Sequence, residues 1–293
     1  MKRIITLTAA IAISALMLFA GPERIRTSSF DSMDISWLYH VELSISPSCD
    51  VQVDAPDFVK PYLDVKVKGG CLQLGYKEMP RDIKRKMETG KYEIIAHVTA
   101  PEMKSIEMSG AAKLNVKGQI ETPEFTLGLS GAAKATGLSV NCRQATIDCS
   151  GAAKTEIEGT LGNVRATVSG ASSASINADT EYLHAEVSGA SKLVTTGSNG
   201  NVRMSLSGAS GARMEGTMDS LKLVGTGASK FHGSNIPCTS ADINLSGASK
   251  AEVAVNGEMN VNLSGASTCH YSAGDRFQLK KIDMSRGASL KQL

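Results

Sequence analysis

The fold is decided by the stretch Ala241-Asp-Ile-Asn-Leu-Ser-Gly-Ala-Ser-Lys250-Ala-Glu-Val-Ala-Val-Asn-Gly257. Ile243 and Leu245 alternate with Asp242, Asn244 and Ser246, the period of a half-buried strand. Ser-Gly-Ala then breaks the alternation. A second short run, Ala251 and Val253, ends at Asn256-Gly257, a turn signal. The same frame recurs on Gly110, Gly131, Gly151, Gly170, Gly189, Gly208, Gly227, Gly247, Gly265 and Gly287, at spacings of 21, 20, 19, 19, 19, 19, 20, 18 and 22 residues. A period that regular is the mark of a solenoid in which each repeat forms one coil.

Counting back from each glycine, positions −4 and −2 are apolar, as in Ile106/Met108, Leu127/Leu129, Ile147/Cys149 and Val261/Leu263, while −3 is mostly polar. Each coil therefore holds two or three short strands and at least two corners, and its inward residues stack as apolar ladders. Glycine at the corner supplies dihedrals that other residues resist. The expected fold is all-β, a single-stranded parallel β-helix or solenoid with coils of about 19–20 residues, rising about 4.8 Å per coil. Helical hydrophobic periodicity is absent from this reading. An enclosed enzyme pocket does not fit such a thin, regular rod.

The 293-residue chain carries a net charge of +2, which suggests neither a nucleic-acid nor a membrane-surface partner. Lys2 and Arg3 precede an uncharged stretch from Ile4 to Ala20, which reads as an export signal cleaved near Ala20–Gly21. That run is marginal for spanning a bilayer, so no stable membrane span is expected after cleavage. No cysteine stands at the junction to carry a lipid anchor. Seven of the thirteen aromatic residues (Phe30, Trp37, Tyr39, Phe58, Tyr62, Tyr76 and Tyr92) fall within residues 21–105, as do most prolines beyond the signal. The organisation expected is a signal peptide at 1–20, an N-terminal cap with irregular first coils at 21–105, and the Ser-Gly-Ala solenoid, continuous with it, at 106–293. The last repeat departs from the pattern with Arg286, Lys280, Lys281, Asp283 and Lys291, as a charged terminal edge needs.

Six cysteines in an exported chain invite disulfides. Cys142 and Cys238 share a phase five coils apart, roughly 24 Å, beyond the reach of a bridge. Cys149 and Cys269 occupy ladder positions and read as small buried hydrophobes. Cys49 and Cys71 are the one pair left open to bridging. Serine precedes the glycine in eight repeats; a nucleophile needs a base and an oxyanion site, not eight copies, so these hydroxyls are expected to bond one another or the corner backbone.

Lysine stands three residues after the glycine in six repeats: Lys113, Lys134, Lys154, Lys192, Lys230 and Lys250. In register they form a cationic stripe broken at Ser173, Gly211 and Thr268, a candidate surface for an anionic polysaccharide or lipopolysaccharide. The alternative is that they only keep a β surface soluble. The basic run Lys77, Arg81, Lys84, Arg85, Lys86 and Lys91, interleaved with acids, reads as a solvated loop. His40, His97, His184, His232 and His270 lack metal-ligand spacing, and His232 and His270 lie two coils apart. Phosphate-loop, dinucleotide, zinc-protease and calcium-repeat motifs are missing, so no metal or cofactor is expected. Asp31-Ser32-Met33 and Asp219-Ser220-Leu221 resemble a short O-glycosylation motif.

Val98-Thr-Ala-Pro-Glu-Met-Lys-Ser-Ile-Glu-Met-Ser-Gly110-Ala-Ala, followed by Ser-Gly-Ala repeats, resembles the putative auto-transporter adhesin, head GIN domain family. Phe30-Asp-Ser-Met-Asp-Ile35, Val51-Gln-Val53, Leu63-Asp-Val-Lys-Val67 and Cys71-Leu-Gln-Leu74 look like its N-terminal part. The resemblance implies an exported β-helix protein, frequent in Bacteroidota, without defined functional residues. The resulting expectation is a non-enzymatic, secreted or envelope-exposed solenoid that contacts surface glycans or envelope components. The alternatives are a polysaccharide-active β-helix lyase, which needs a groove of clustered acids and a basic residue, and a purely structural envelope component.

Overall fold

The computed structural model describes residues 23–90, 92–285 and 287–293. The expected signal at 1–20, together with Lys91 and Arg286, lies outside the described residues. The chain folds as a parallel β-solenoid of about 10 turns. Strand Lys154–Val168 illustrates one coil: it turns at Gly159 (φ 130°) and runs on to Val168. It pairs in register with the next coil through Ile157↔Ile176, Val164↔Leu183, Ala166↔Ala185 and Val168↔Val187. Those residues are buried, and they form the continuous apolar ladders that the alternation requires.

Each coil closes at the Ser-Gly-Ala corner. Gly170 has φ 74°, and a Cβ there would sit 2.5 Å from Gly151 O. Both the dihedral and the close stacking of backbone on backbone select glycine. The following Ala171 N–H donates to Gly151 O at 2.7 Å, and the same bond repeats from coil to coil. The serines before the glycines bond the corner backbone: Ser130 Oγ donates to Met108 O at 3.2 Å and Ser150 Oγ to Leu129 O at 3.4 Å. A second hydroxyl column stands two residues after the glycine. Ser191, Ser210 and Ser267 are buried there and donate to Val168 O, Val187 O and Leu245 O at 2.9, 3.0 and 3.3 Å.

The N-terminal part does not follow chain order along the axis. Strand Tyr39–Ile45 lies between Ile94–Ala100 and Lys113–Lys117, parallel to both, and Ser32–Ile35 lies between Cys71–Tyr76 and Ser105–Met108. Residues between them travel outward and return, leaving antiparallel strands at this end: Leu63–Lys68 on Cys71–Tyr76, and Glu23–Ile25 on Asp50–Asp54, which pairs antiparallel with Ile94–Ala100. The parallel stack thus ends here in antiparallel strands.

One expectation changes. Residues Arg81–Thr89 form an α-helix rather than a loop. Pro80 at its N-cap and Asp82 in its first turn favour initiation, and only Ile83 and Met87 give it apolar spacing, too little to register as a periodic signal. Cys49 and Cys71 are both free thiols. Cys71 lies on the strand paired with Ser32–Ile35, whereas Cys49 precedes the strand Asp50–Asp54, which pairs on another side. Burial pushes the thiols of Cys149 and Cys269 up to about 12 and that of Cys238 up to about 11.

At the far end, Gln278–Met284 and Ser289–Gln292 each pair on one side only among the described residues. Ile282 and Met284 continue the Val261 and Leu263 ladders yet are 52% and 39% exposed. Lys280, Lys281 and Lys291 flank them on this open edge.

Candidate functional site

Backbone register places the six lysines in one row on the side that follows the corner. The pairs run Lys113↔Lys134, Lys134↔Lys154, Lys154↔Ser173, Ser173↔Lys192, Lys192↔Gly211, Gly211↔Lys230 and Lys230↔Lys250. His40 extends the row at its N-terminal end, opposite Lys113. The row spans seven intervals, about 34 Å at the strand spacing. Inward neighbours such as Leu114, Ala135 and Leu193 anchor each strand, so alternation turns every one of these lysines outward, and all six are exposed.

Among the described residues none of the six lysines forms an ion pair. The carboxylates nearest along the strand have other partners: Asn177 Nδ2 donates to Glu156 Oε1 at 3.2 Å, and His232 Nδ1 lies 3.2 Å from Glu252 Oε2. Paired lysines in neighbouring coils spring from backbone about 4.8 Å apart, inside the roughly 8 Å screening length of physiological salt, so their potentials add. The arrangement gives a linear, flat, hydrated cationic track. It has the periodicity of an extended polymer and no enclosed volume.

His232 and His270 flank Glu252 in a single row, and no three or more His, Cys, Asp or Glu converge among the described residues. A cleft of about 220 Å³ lies at the N-terminal end, lined by Ile25, Val53, Ala55, Leu63 and Val65 with Glu23 and Lys60. The basic helix sets Lys86 Nζ 3.9 Å from the Phe58 ring centroid and Lys84 Nζ 5.6 Å from that of Tyr76. Ser32 and Ser220 of the two short glycosylation-like motifs stand within strands, with their hydroxyls bonded to Asp31 Oδ1 and Asn201 Oδ1.

A second basic row escaped sequence reasoning. Arg165, His184, Arg203 and Lys222 stand in register in four successive coils on the side that precedes the corner. Each lies five residues before a repeat glycine, so extending the same count by one position would have found it. The electrostatics differ from the lysine row. Arg165 and His184 both reach Glu186, at 3.7 and 3.2 Å, and Lys222 reaches Asp242 at 3.8 Å.

No helix among the described residues is long and apolar enough to cross a membrane. No curated protein matches the chain. Three solved structures are similar along almost its whole length. A putative adhesin from Parabacteroides merdae shares 12% identity at a TM-score of 0.50, with 93% of this chain and 95% of that one covered. A putative adhesin from Parabacteroides distasonis shares 13% at 0.49, with 93% and 96% covered. A putative lipid binding protein from the same species shares 12% at 0.46, also with 93% and 96% covered. At 12% identity the likeness to the Parabacteroides merdae structure is one of fold alone. The sequence profile of the family described as "Putative auto-transporter adhesin, head GIN domain" matches residues 29–193 and 171–274, and with the repeat corner running through both matches, the chain belongs to that family.

Proposed function

We propose that this protein is an exported, non-enzymatic adhesin whose lysine row contacts anionic glycans or phosphate-bearing polymers at the cell envelope. The carrying observation is the register of Lys113, Lys134, Lys154, Lys192, Lys230 and Lys250, exposed and free of acidic partners among the described residues. A row of like charges that the fold holds rigidly cannot relax by moving its strands apart. A polyanion laid along the axis relieves the repulsion and meets several ammonium groups at once, so weak contacts reinforce one another. Membership in an adhesin-described family supports the reading.

The test is retention of the purified protein on immobilised heparin, used as a generic anionic polysaccharide. The unaltered protein is expected to bind and to elute with salt. Lys113→Glu, Lys134→Glu and Lys154→Glu together are expected to abolish retention at physiological salt. Elution unchanged by the triple reversal overturns the role of the row. Release of unsaturated sugars from an acidic polysaccharide overturns the non-enzymatic assignment.

A further inference from the structure

We propose that the side preceding the corner carries a separate glycan site, centred on Tyr182, that takes one pyranose of a carboxylate-bearing sugar chain. Tyr182 is 57% exposed, the most exposed aromatic ring among the described residues. The other exposed rings have partners: Tyr76 packs on Trp37 and Tyr92 on Phe58, and lysines lie over both. Among the described residues no ring or ammonium group covers Tyr182. It stands just past the corner at Glu181, at the head of the run that ends at Val187, where its neighbours Leu183 and Ala185 are buried in the core and anchor the backbone.

The surroundings have the chemistry of sugar recognition. Asn163 and Asn201 are the register partners of Tyr182 in the coils on either side, so an exposed amide flanks the ring above and below at about 4.8 Å strand spacing. Ser220 Oγ donates to Asn201 Oδ1 at 2.6 Å, which leaves the Nδ2 donors of Asn201 for a ligand. One step along the next strand is Arg203, a diagonal neighbour at about 7–8 Å, within reach of a long side chain. Arg203 is exposed and has no carboxylate partner among the described residues, whereas Arg165, His184 and Lys222 are engaged with Glu186 or Asp242. Another exposed carboxylate, Glu181, lies at the corner before Tyr182.

These groups divide the work in a physically sensible way. The apolar face of a pyranose stacks on an exposed ring, its hydroxyls meet the amides, and a carboxylate takes the planar fork of an arginine in a paired geometry that a lysine cannot reproduce. The free guanidinium favours an acidic over a neutral sugar. The site stands on a different side from the lysine row and does not depend on it.

Oligogalacturonate and its methyl-esterified form are the probes, with binding followed by ligand-observed NMR and calorimetry. Each is tested on the unaltered protein and on the triple lysine reversal, which removes the other anion-binding surface. In both backgrounds the acidic form is expected to bind, Tyr182→Ala to weaken it tenfold or more, and Arg203→Ala to erase the preference for acid over ester, with Arg203→Lys restoring it only in part. All of these positions are on the surface, so the fold is not at risk. Binding that is lost only with the lysine reversal, or that stays within twofold in both Tyr182→Ala and Arg203→Ala, overturns the site. So does equal affinity for acid and ester, or no binding of either probe to the unaltered protein. Binding dependent on Tyr182 that survives alongside a failed heparin test leaves this site standing without the lysine row.

Discussion

Trp37 occupies, one coil earlier, the corner place that Gly110 holds in the first full repeat. Ala111 N–H donates to Trp37 O at 2.7 Å, and both residues have left-handed backbone, φ 67° and 75°. Ser36-Trp37-Leu38-Tyr39 is thus a degenerate copy of Ser-Gly-Ala-Ser, and Ser36 Oγ donates to Leu74 O as the repeat serines do to their own neighbours. A left-handed conformation costs an ordinary residue about 1–2 kcal/mol. Burying a large ring against Tyr76, with centroids 4.8 Å apart, offsets that, since Trp→Ala in a core costs about 3–5 kcal/mol.

The glycines of the column are therefore not interchangeable with those elsewhere. Gly170→Ala places a Cβ 2.5 Å from Gly151 O at φ 74° and is expected to destabilise by at least about 2 kcal/mol. Gly211→Ala meets nothing nearer than 3.9 Å and has no positive φ. It should be neutral or stabilising by up to about 1 kcal/mol, as for glycine inside a strand. Chemical denaturation of the two variants side by side checks the contrast.

Hydroxyls in the inner column should divide by their partners. Ser191→Ala removes a buried bond to Val168 O and is expected to cost about 1 kcal/mol. Ser229 Oγ, beside Gly225, is buried without a partner among the described residues, so Ser229→Ala should be neutral or slightly stabilising. Melting temperatures of both variants distinguish them. A cost at Ser229 equal to that at Ser191 would contradict this account of the column.

Glu107 supplies a pH dependence with a definite sign. Its carboxylate folds over Gly128, and burial first, then Asp148 and Asp34 in the same row, raise its pKa above 4.5. A raised folded-state pKa means the native state holds the proton more tightly. This contribution to stability is therefore full below the unfolded value and is lost as pH rises through the folded one. Glu107→Gln is expected to melt higher than the unaltered protein at pH 7, with the difference shrinking towards pH 4. A difference that grows on acidification would reverse the sign.

Thiol chemistry should follow burial. Cys49 and Cys71 are half-buried, whereas Cys142, Cys149, Cys238 and Cys269 are buried. Native protein at pH 8 is expected to label at Cys49 and Cys71 first, and to yield six free thiols only after unfolding. Intact mass without reductant that is two hydrogens short, with labelling lost at both Cys49 and Cys71, would place a bridge between them.

What could be read from the residues divides along physical lines. Corner glycines announce themselves because a left-handed turn selects one residue type, and a lysine at constant phase after them becomes a row once parallel strands stack. Trp37 carries no such signal, because a tryptophan in a glycine's place is legible only from its dihedral and its neighbours. Placement of Tyr39–Ile45 between strands far along the chain leaves no local trace, since parallel pairing is recorded in no turn. The helix Arg81–Thr89 offers two apolar positions, too few to compete with the charge around them. Tyr182 and Arg203 look like ordinary exposed residues until register sets Asn163 and Asn201 beside the ring.

Filling the gaps in the lysine row tests its role most directly. Ser173 and Gly211 are the two positions that interrupt the row between Lys113 and Lys250, and neither is a corner glycine. Ser173→Lys with Gly211→Lys gives eight lysines in eight successive coils. The salt concentration that elutes this variant from immobilised heparin should exceed that of the unaltered protein, and affinity at physiological salt should rise about tenfold, as expected when more linked contacts engage together. A folded variant that elutes with the unaltered protein would contradict the claim that the row binds a polyanion.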